Sequence, residues 1–513
     1  MASPPLQNGI PPEHLAALSH EFRTPLNGVV GMARLLSQTQ LTAEQQAYVA
    51  ALNESSEHLL GLINDVLDYA KLGAAGLELA PAPVDVEDLL RSVAELMSPR
   101  AHEKGLEIGW AAEGGLAPIL ADEGRLKQIL LNFAGNAVKF AEVGGVVLLA
   151  EGADESRIRF TVSDTGPGVP AADRVRIFDA FTYADPAHGS RLGGAGLGLA
   201  IASRIAQAMG GAVGVTGATG RGADFWFEAA FERAGAARKD ASLEGRRVAV
   251  VSPSAILRTA AGRQIEASGG TAVLAERLAD ALARTDDRDV VLIDQALAAK
   301  TRRALRPPGD RAAIVLVKPE ERGRIARHRA AGFAGYLIKP LRRASLAARV
   351  LAAEGTLGPH ASLDDERIAP IEPETPAAAA IGARVLLAED NPINAMLARA
   401  LLVREGCEVE HVTDGEAAIE AVARGRYDLV LMDVRMPKVG GMEAVRTIRA
   451  RGFVGPVVAL TANAFEDDRR ACLDAGMDDF LVKPLSPEAL RRVLVRWTGP
   501  GWTDADARAK VAS

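Results

Sequence analysis

Two stretches of the chain repeat one pattern, and that repeat limits the fold more than any other feature. Residues 245–355 and 383–497 each open on a short apolar strand (Arg247–Val251; Arg384–Ala388). Each carries a second strand ending in aspartate (Val290–Asp294; Leu429–Asp433) and a late strand running into Lys-Pro (Lys339-Pro340; Lys483-Pro484). Short, continuously apolar strands alternating with helical patterns belong to a parallel sheet covered on both faces. A duplicated block of this kind means two copies of one domain. Between them, Gly358–Ala380 is acidic and rich in Pro and Ala, so residues 356–382 read as a linker.

With 513 residues, and about 150 residues per domain, the N-terminal half has room for further domains. A 48% hydrophobic and 24% charged composition is that of a folded protein with several cores. No run of about 18 apolar residues is present, and the N-terminus lacks the basic and apolar regions of a signal peptide. Cys407 and Cys472 are the only cysteines, which excludes a disulfide framework and fits a reducing cytoplasm. The net charge of -7 gives no reason to expect a nucleic-acid polymer as partner.

Residues 11–72 read as two long helices, 11–39 and 42–72. Apolar residues recur at three- and four-residue steps (Leu15, Leu18, Phe22, Leu26, Val29; Leu52, Leu59, Ile63, Val66). Thr42 and Gln45 form a capping-box pattern at the second start. One hairpin cannot bury its own stripe, so a dimeric four-helix bundle is expected. Within the first helix stands His20-Glu21-Phe22-Arg23-Thr24-Pro25. Proline inside a helix costs about 3 kcal/mol, which points to a functional kink. A neutral imidazole is a nucleophile, and Glu21 can take the proton from its other nitrogen.

Residues 85–232 alternate helical stretches (Val86–Ser98, Asp122–Phe140) with strands (Val146–Glu151, Arg157–Asp164, Asp224–Phe231), an α/β sandwich with glycine-rich loops. Asn132, Asn136 and Lys139 share one helix face. Carboxamides suit a hydrated Mg²⁺ and nucleotide oxygens, and the lysine suits phosphate. Asp164-Thr165-Gly166-Pro167-Gly168 follows a strand, where a carboxylate can accept the adenine amine. Gly194-Ala195-Gly196-Leu197-Gly198 then opens a helix whose amides can hold phosphates. The spacing is not that of a dinucleotide-binding fingerprint.

Taken in order, these motifs resemble the ATP-binding domain shared by histidine kinases, gyrase, Hsp90 and MutL proteins. The resemblance implies that Asn136 ligates Mg²⁺, Lys139 contacts phosphate and Asp164 reads adenine. It also implies a mobile lid over 182–195, with Gly194, Gly196 and Gly198 on the phosphates. The segment HEFRTPLNG is similar to the phosphoacceptor box of the largest histidine-kinase family. There, His20 carries the phosphoryl group and Thr24 orients water for the reverse, phosphatase reaction.

The last block sets Glu389 and Asp390 after its first strand, Asp433 at the end of a later one, then Thr461 and Lys483. Three carboxylates at the C-terminal edge of a parallel sheet make an oxygen site for one Mg²⁺. Asp433 can then attack a phosphoryl group whose oxygens Lys483 and Thr461 bind. This arrangement resembles response-regulator receiver domains, with Phe480 at the switch aromatic. The repeat at 245–355 keeps Asp294 and Lys339, but Ser252-Pro253 replaces the acidic pair and Val317 stands roughly where Thr461 does. It is therefore expected to be a pseudo-receiver that is not phosphorylated.

From Lys300 to Arg349 the chain carries 14 Lys/Arg against three Asp/Glu. Guanidinium groups pair with phosphate bidentately and stack on bases. The domain order resembles soluble alphaproteobacterial hybrid kinases of the stalk-biogenesis type, in which cyclic di-GMP binds the pseudo-receiver. That resemblance implies Arg324, Tyr336, Arg342 and Arg343 as ligand residues. The linker residues Asp364, Asp365 and Arg367 are then expected to dock on the basic pseudo-receiver until the nucleotide displaces them.

The sequence is thus expected to be a cytoplasmic, homodimeric hybrid histidine kinase using ATP and Mg²⁺. The phosphoryl group would pass from ATP to His20 and from His20 to Asp433. With no histidine-phosphotransfer domain after residue 497, a separate phosphotransfer protein would receive it, and no membrane is involved. The alternative is a phosphatase-dominant or scaffold protein in which ATP binding sets conformation. The expected fold class is multidomain α and α/β: a dimeric helical hairpin, an ATP-binding sandwich and two flavodoxin-like receiver domains.

Overall fold

The computed structural model describes residues 26, 28–33, 36–37, 39, 41–74, 79–154, 156–182, 196–237, 240–301, 304–309, 311–355, 380, 382–461, 466–483 and 485–498. His20, Glu21, Thr24, Gly194, Asp364, Asp365 and Arg367 lie outside the described residues. The chain divides into two compact units, one built on Gly61–Arg367 and the other on His20–Leu60 with Ile368–Ser513.

Residues 28–33 and 36–37 are helical, and helix α1 runs over Ala43–Ala74. Its start is a reciprocal capping box: the Gln45 amide donates to Thr42 Oγ1 at 3.2 Å, and the Thr42 amide donates to Gln45 Oε1 at 3.0 Å. Leu52, Leu59 and Val66, spaced by seven, remain exposed along α1, as do Val29, Met32 and Leu36 in the preceding helical segment.

The first α/β block contains β1 (Ala82–Val84), α2 (Val86–Glu103), β2 (Glu107–Ala112), β3 (Ile119–Ala121), α3 (Glu123–Phe140), β4 (Gly145–Gly152), β5 (Arg157–Asp164), α4 (Gly198–Ala208), β6 (Ala212–Gly217), β7 (Ala223–Ala230) and β8 (Glu232–Arg233). The main sheet has the order β2-β4-β5-β7-β6, and a small sheet has the order β1-β3-β8. Asp85 and Asp122 cap α2 and α3 by accepting backbone amides of the first turn. One α3 stripe (Leu126, Ile129, Leu130, Phe133, Ala137) is fully buried in a core with Phe160, Phe227 and Ile201. Asn132, Asn136 and Lys139 are half-buried on another face of α3. Helix α2 continues through Pro99 to Glu103, past the helical stretch Val86–Ser98 read from the sequence. Burial of Met97 and Ala101 on either side of Pro99 holds that last turn in place.

The repeat consists of two sheets of one topology. The first contains β9 (Arg247–Val251), α5 (Ala255–Ala267), β10 (Thr271–Ala275), α6 (Leu278–Leu282), β11 (Val290–Asp294), α7 (Ala296–Thr301), β12 (Ala313–Val317), α8 (Ile325–Ala330), β13 (Gly335–Ile338) and α9 (Arg343–Ala353). The second contains β14 (Arg384–Ala388), α10 (Pro392–Arg404), β15 (Glu408–Val412), α11 (Gly415–Arg424), β16 (Leu429–Asp433), α12 (Gly441–Ala450), β17 (Val457–Thr461), α13 (Glu466–Asp474), β18 (Asp479–Val482) and α14 (Pro487–Thr498). Their orders, β10-β9-β11-β12-β13 and β15-β14-β16-β17-β18, are equivalent, and every pairing is parallel. The central strands β11, β12, β16 and β17 are buried along their whole length.

Within the first unit, α5 lies across the open face of the ATP-type sheet. Ile256 and Ala260 form a buried cluster with Val147. Gly109 is required there, because a Cβ on it would sit 2.7 Å from the Ala260 Cβ. Gln264 donates to the carbonyls of Trp110 (2.7 Å) and Leu341 (3.1 Å), and Arg263 pairs with Glu151 at 3.0 Å.

Candidate active site

In the first α/β block, Asp164 ends β5 with its Oδ1 accepting the amides of Gly166 (2.7 Å) and Ala223 (3.3 Å). Burial pushes its carboxyl above the ordinary value, and those two amides oppose the shift. Across the site, Asn132 Nδ2 donates to the Gly198 carbonyl at 2.9 Å, tying α3 to the first turn of α4. Leu197 is fully buried and anchors that turn. Gly196 has φ of +66°, and a Cβ on it would press at 3.1 Å on the Phe181 and Thr182 backbone. Burial, and then Lys104, lower the pKa of Lys139. These groups fit a nucleotide: carboxamides and a lysine on α3, an adenine-type carboxylate at the end of β5, and the N-terminal amides of α4. Asn136 would hold Mg²⁺.

Three contacts not read from the sequence brace this site. The Arg204 guanidinium on α4 stacks 3.8 Å from the Tyr69 ring centroid, and it also donates to the Tyr69 hydroxyl at 2.8 Å. The Tyr69 ring meets Phe181 edge-on at 6.3 Å. Lys104 caps the C-terminus of α3, donating to the carbonyls of Val138 (3.0 Å) and Lys139 (2.8 Å).

In the last block, oxygens of Glu389, Asp390 and Asp433 lie within 4.8 Å of one another. Three carboxylates at this spacing suit one hard divalent cation, and Mg²⁺ fits. Lys483 Nζ bridges Glu389 Oε2 (2.5 Å) and Asp433 Oδ2 (2.6 Å). Asn394 donates to the other Glu389 oxygen at 3.0 Å. Thr461 ends β17, and its carbonyl accepts the Lys483 amide at 2.7 Å. Burial, opposed by Lys483, raises the pKa of Glu389, with Asp433 adding to the shift. A proton on Glu389 competes with a metal. Mg²⁺ affinity of the receiver is therefore expected to fall on acidification, starting above the ordinary Glu value of 4.5. Mg²⁺ titration followed by fluorescence, with Glu389→Gln as comparison, checks this. The variant should bind weakly and lose that pH dependence.

The equivalent positions in the earlier repeat make a different site. Ser252, fully buried, donates to Asp294 Oδ2 at 2.6 Å, and Val317 ends the strand that Thr461 ends in the other copy. Lys339 donates to Asp294 (3.1 Å) and to Glu107 of β2 (2.8 Å), with both acceptors buried. Tyr336 holds the register of Phe480, opposite Val315 as Phe480 is opposite Ala459.

The basic segment is less open than its charge count suggests. Arg342 pairs with Glu95 at 2.8 Å and Arg343 with Glu87 at 2.7 Å, both acids standing on α2. Arg324 pairs with Glu321 at 3.0 Å, and the Arg349 guanidinium lies 5.0 Å from the Tyr336 ring. An anion reaching Arg342 meets the Glu95 carboxylate already bound at its Nε.

Three family models match the chain: the His Kinase A (phospho-acceptor) domain over residues 13–75, the histidine kinase-, DNA gyrase B- and HSP90-like ATPase over 121–233, and the response regulator receiver domain over 385–495. The sensor histidine kinase GacS of Pseudomonas protegens is 34% identical over 95% of this chain and 55% of its own length. The chain spans about half the length of the curated relatives it matches. The crystal structure of full-length ShkA in complex with AMPPNP is 60% identical, with a TM-score of 0.63, covering 95% of this chain and 99% of that one. The structure of ShkA Rec1 in complex with c-di-GMP is 58% identical over 22% of this chain and 94% of its own, with a TM-score of 0.21. Among the described residues, no helix is long and apolar enough to cross a membrane. With phospho-acceptor, ATPase and receiver modules in one polypeptide, the chain belongs to the hybrid sensor histidine kinases.

Proposed function

We propose that this protein transfers the γ-phosphoryl group of ATP to His20 and then to Asp433. The observation that carries the reading is the receiver pocket, where Lys483 bridges Glu389 and Asp433 beside Asp390. In the first step a His20 ring nitrogen forms the N–P bond, the bond to the ADP oxygen breaks, and Glu21 takes the proton from the other ring nitrogen. Asn132, Asn136 and Lys139 hold the nucleotide's phosphate end, while Asp164 accepts the adenine amine. Thr24 is proposed to orient water for the reverse reaction. In the second step an Asp433 oxygen attacks, the N–P bond breaks, and Lys483 and Thr461 bind the phosphoryl oxygens. Mg²⁺ bound by the three carboxylates would neutralise the incoming charge. A separate histidine-phosphotransfer protein is proposed to draw the group onward. A pulse of γ-labelled ATP tests the route. Alkali-stable label should appear first and alkali-labile, hydroxylamine-sensitive label second. Absence of the second kind alone would remove the transfer to Asp433, and absence of both would favour an ATP-switched scaffold.

The exposed stripe of Leu52, Leu59 and Val66 supports a homodimer, since a second hairpin would cover it. Cyclic di-GMP is the effector we assign to residues 245–355, with Arg324, Tyr336, Arg342 and Arg343 as its contacts. Guanidinium pairs for phosphate and an aromatic face for a base support that choice. Asp364, Asp365 and Arg367 are proposed to compete for the same face. Moving a locked population from 1:99 to 99:1 takes about 5.5 kcal/mol, whereas one part-exposed ion pair gives about 0–1 kcal/mol. Several contacts must therefore be exchanged together. Glu95→Gln frees Arg342 and is expected to tighten cyclic di-GMP binding by up to about fivefold, read by calorimetry. Unchanged or weaker binding removes Arg342 from the site.

A further inference from the structure

The pseudo-receiver has lost the means to hold a metal, yet it keeps the aspartate and the lysine of the phosphorylation pocket. In the intact copy that pocket is open: Asp390 is exposed, and the Lys483 side chain is 17% exposed. In the other copy the Lys339 side chain is 1% exposed and Asp294 is 0% exposed. Both Asp294 oxygens are taken, Oδ2 by Ser252 and Oδ1 by Lys339 and the Ala296 amide. The remaining anion on Lys339 is the carboxylate of Glu107, the first residue of β2.

We propose that the vestigial phosphorylation pocket of residues 245–355 is a socket whose ligand is the Glu107 carboxylate, fastening that domain to the ATP-binding fold. The lysine that binds an anionic phosphoryl group in an intact receiver binds an anionic side chain here. Asp294 is retained because Lys339 is enclosed by protein and needs a second counter-charge, and Ser252 is suited because it donates to the spare Asp294 oxygen. Burial alone would lower the pKa of Lys339, but Glu107 and Asp294 outweigh it and hold the ammonium above its ordinary value. The surroundings are built for the same contact. Gly109 admits Ala260, and Gln264 bonds the Trp110 carbonyl on the same strand. From the far side, His102 on α2 faces Glu320 at 3.6 Å, and burial, then Lys318, lower its pKa, so it enters as a neutral ring near neutral pH.

The socket also reaches the nucleotide helix. Lys104, in the turn just before Glu107, caps the carbonyls of Val138 and Lys139 at the end of α3. Glu107 and Lys339 are thus positioning residues for the Asn132–Lys139 face, acting through that turn. This inference does not depend on the route of the phosphoryl group.

The test is hydrogen–deuterium exchange on the full chain, comparing wild type, Glu107→Gln, Lys339→Met, Lys339→Arg and the Glu107→Gln/Lys339→Met double variant, with AMPPNP affinity alongside. Each neutralising variant should speed exchange of both 107–112 and 335–338 by about tenfold or more and weaken AMPPNP binding. Lys339→Arg should stay near wild type, and the double variant should be no worse than the worse single. Exchange in 383–461 should not change. The proposal is overturned if exchange rises only in the substituted strand, or if the two effects multiply as independent sites. It is equally overturned if AMPPNP affinity is untouched while both strands open. Should Lys339→Met fail to fold, the isosteric Glu107→Gln alone decides, by exchange in the two strands and by AMPPNP affinity.

Discussion

Asn136→Ala is expected to cut autophosphorylation by about 10²–10³-fold, the scale for losing one preorganised polar group at a site of developing charge. Asn136 stands one turn beyond Asn132 and three residues before Lys139 on the half-buried face of α3. Its substitution removes no core contact, because Phe133, Ala134 and Ala137 carry the packing. The fold should therefore survive, which circular dichroism checks, while single-turnover label transfer collapses. Asn132→Ala should behave differently. Asn132 holds the Gly198 carbonyl, so its loss loosens the α4 start and should raise the KM for ATP as well. Equal activity of Asn136→Ala and wild type would remove Asn136 from the proposed metal and phosphate site.

Asp433→Asn is expected to abolish label in the receiver completely, since a carboxamide cannot form an acyl phosphate. The consequence for the other site is more informative. With its acceptor lost, His20 should retain label, and steady-state phosphohistidine should rise several-fold over wild type. The carboxamide also leaves Lys483 with Glu389 as its remaining counter-charge at 2.5 Å, so the pocket keeps its cation and its fold. Phosphohistidine analysis after a timed pulse reads both changes. The equivalent Asp294→Asn should remove no phosphoryl acceptor, because both Asp294 oxygens are already committed within the protein; any fall in label should track AMPPNP affinity, through the counter-charge lost from Lys339.

The repeat was legible because five-residue apolar runs such as Val290–Asp294 and Leu429–Asp433 can be little else than buried parallel strands. The motif loops were legible for a related reason: glycines, asparagines and an aspartate at fixed offsets carry chemistry that propensity does not explain. Strand β2 was not legible. Glu107–Ala112 reads EIGWAA, with a charge at its first position and no alternation; Ile108, Trp110 and Ala112 face the core of their own domain, and α5 of another domain covers the other face at Gly109. Glu107 itself carried a faint signal, as an acid opening an otherwise apolar segment, but its partner Lys339 lies 232 residues away. The same limit governed the basic segment. Arg342 looked available in the local charge count, whereas Glu95, 247 residues upstream, already holds it. The end of α2 differs in the opposite direction: the stretch read as Val86–Ser98 runs on to Glu103, its last turn kept by the buried Met97 and Ala101.

The central claim is that His20 is the obligatory entry point for every phosphoryl group that reaches Asp433. The direct measurement is a γ-labelled ATP time course on His20→Gln beside wild type, with label assigned by alkali and hydroxylamine stability and by peptide mass. The account predicts no label at any residue of the variant while AMPPNP still binds with wild-type affinity. Label appearing on Asp433 in His20→Gln would contradict it.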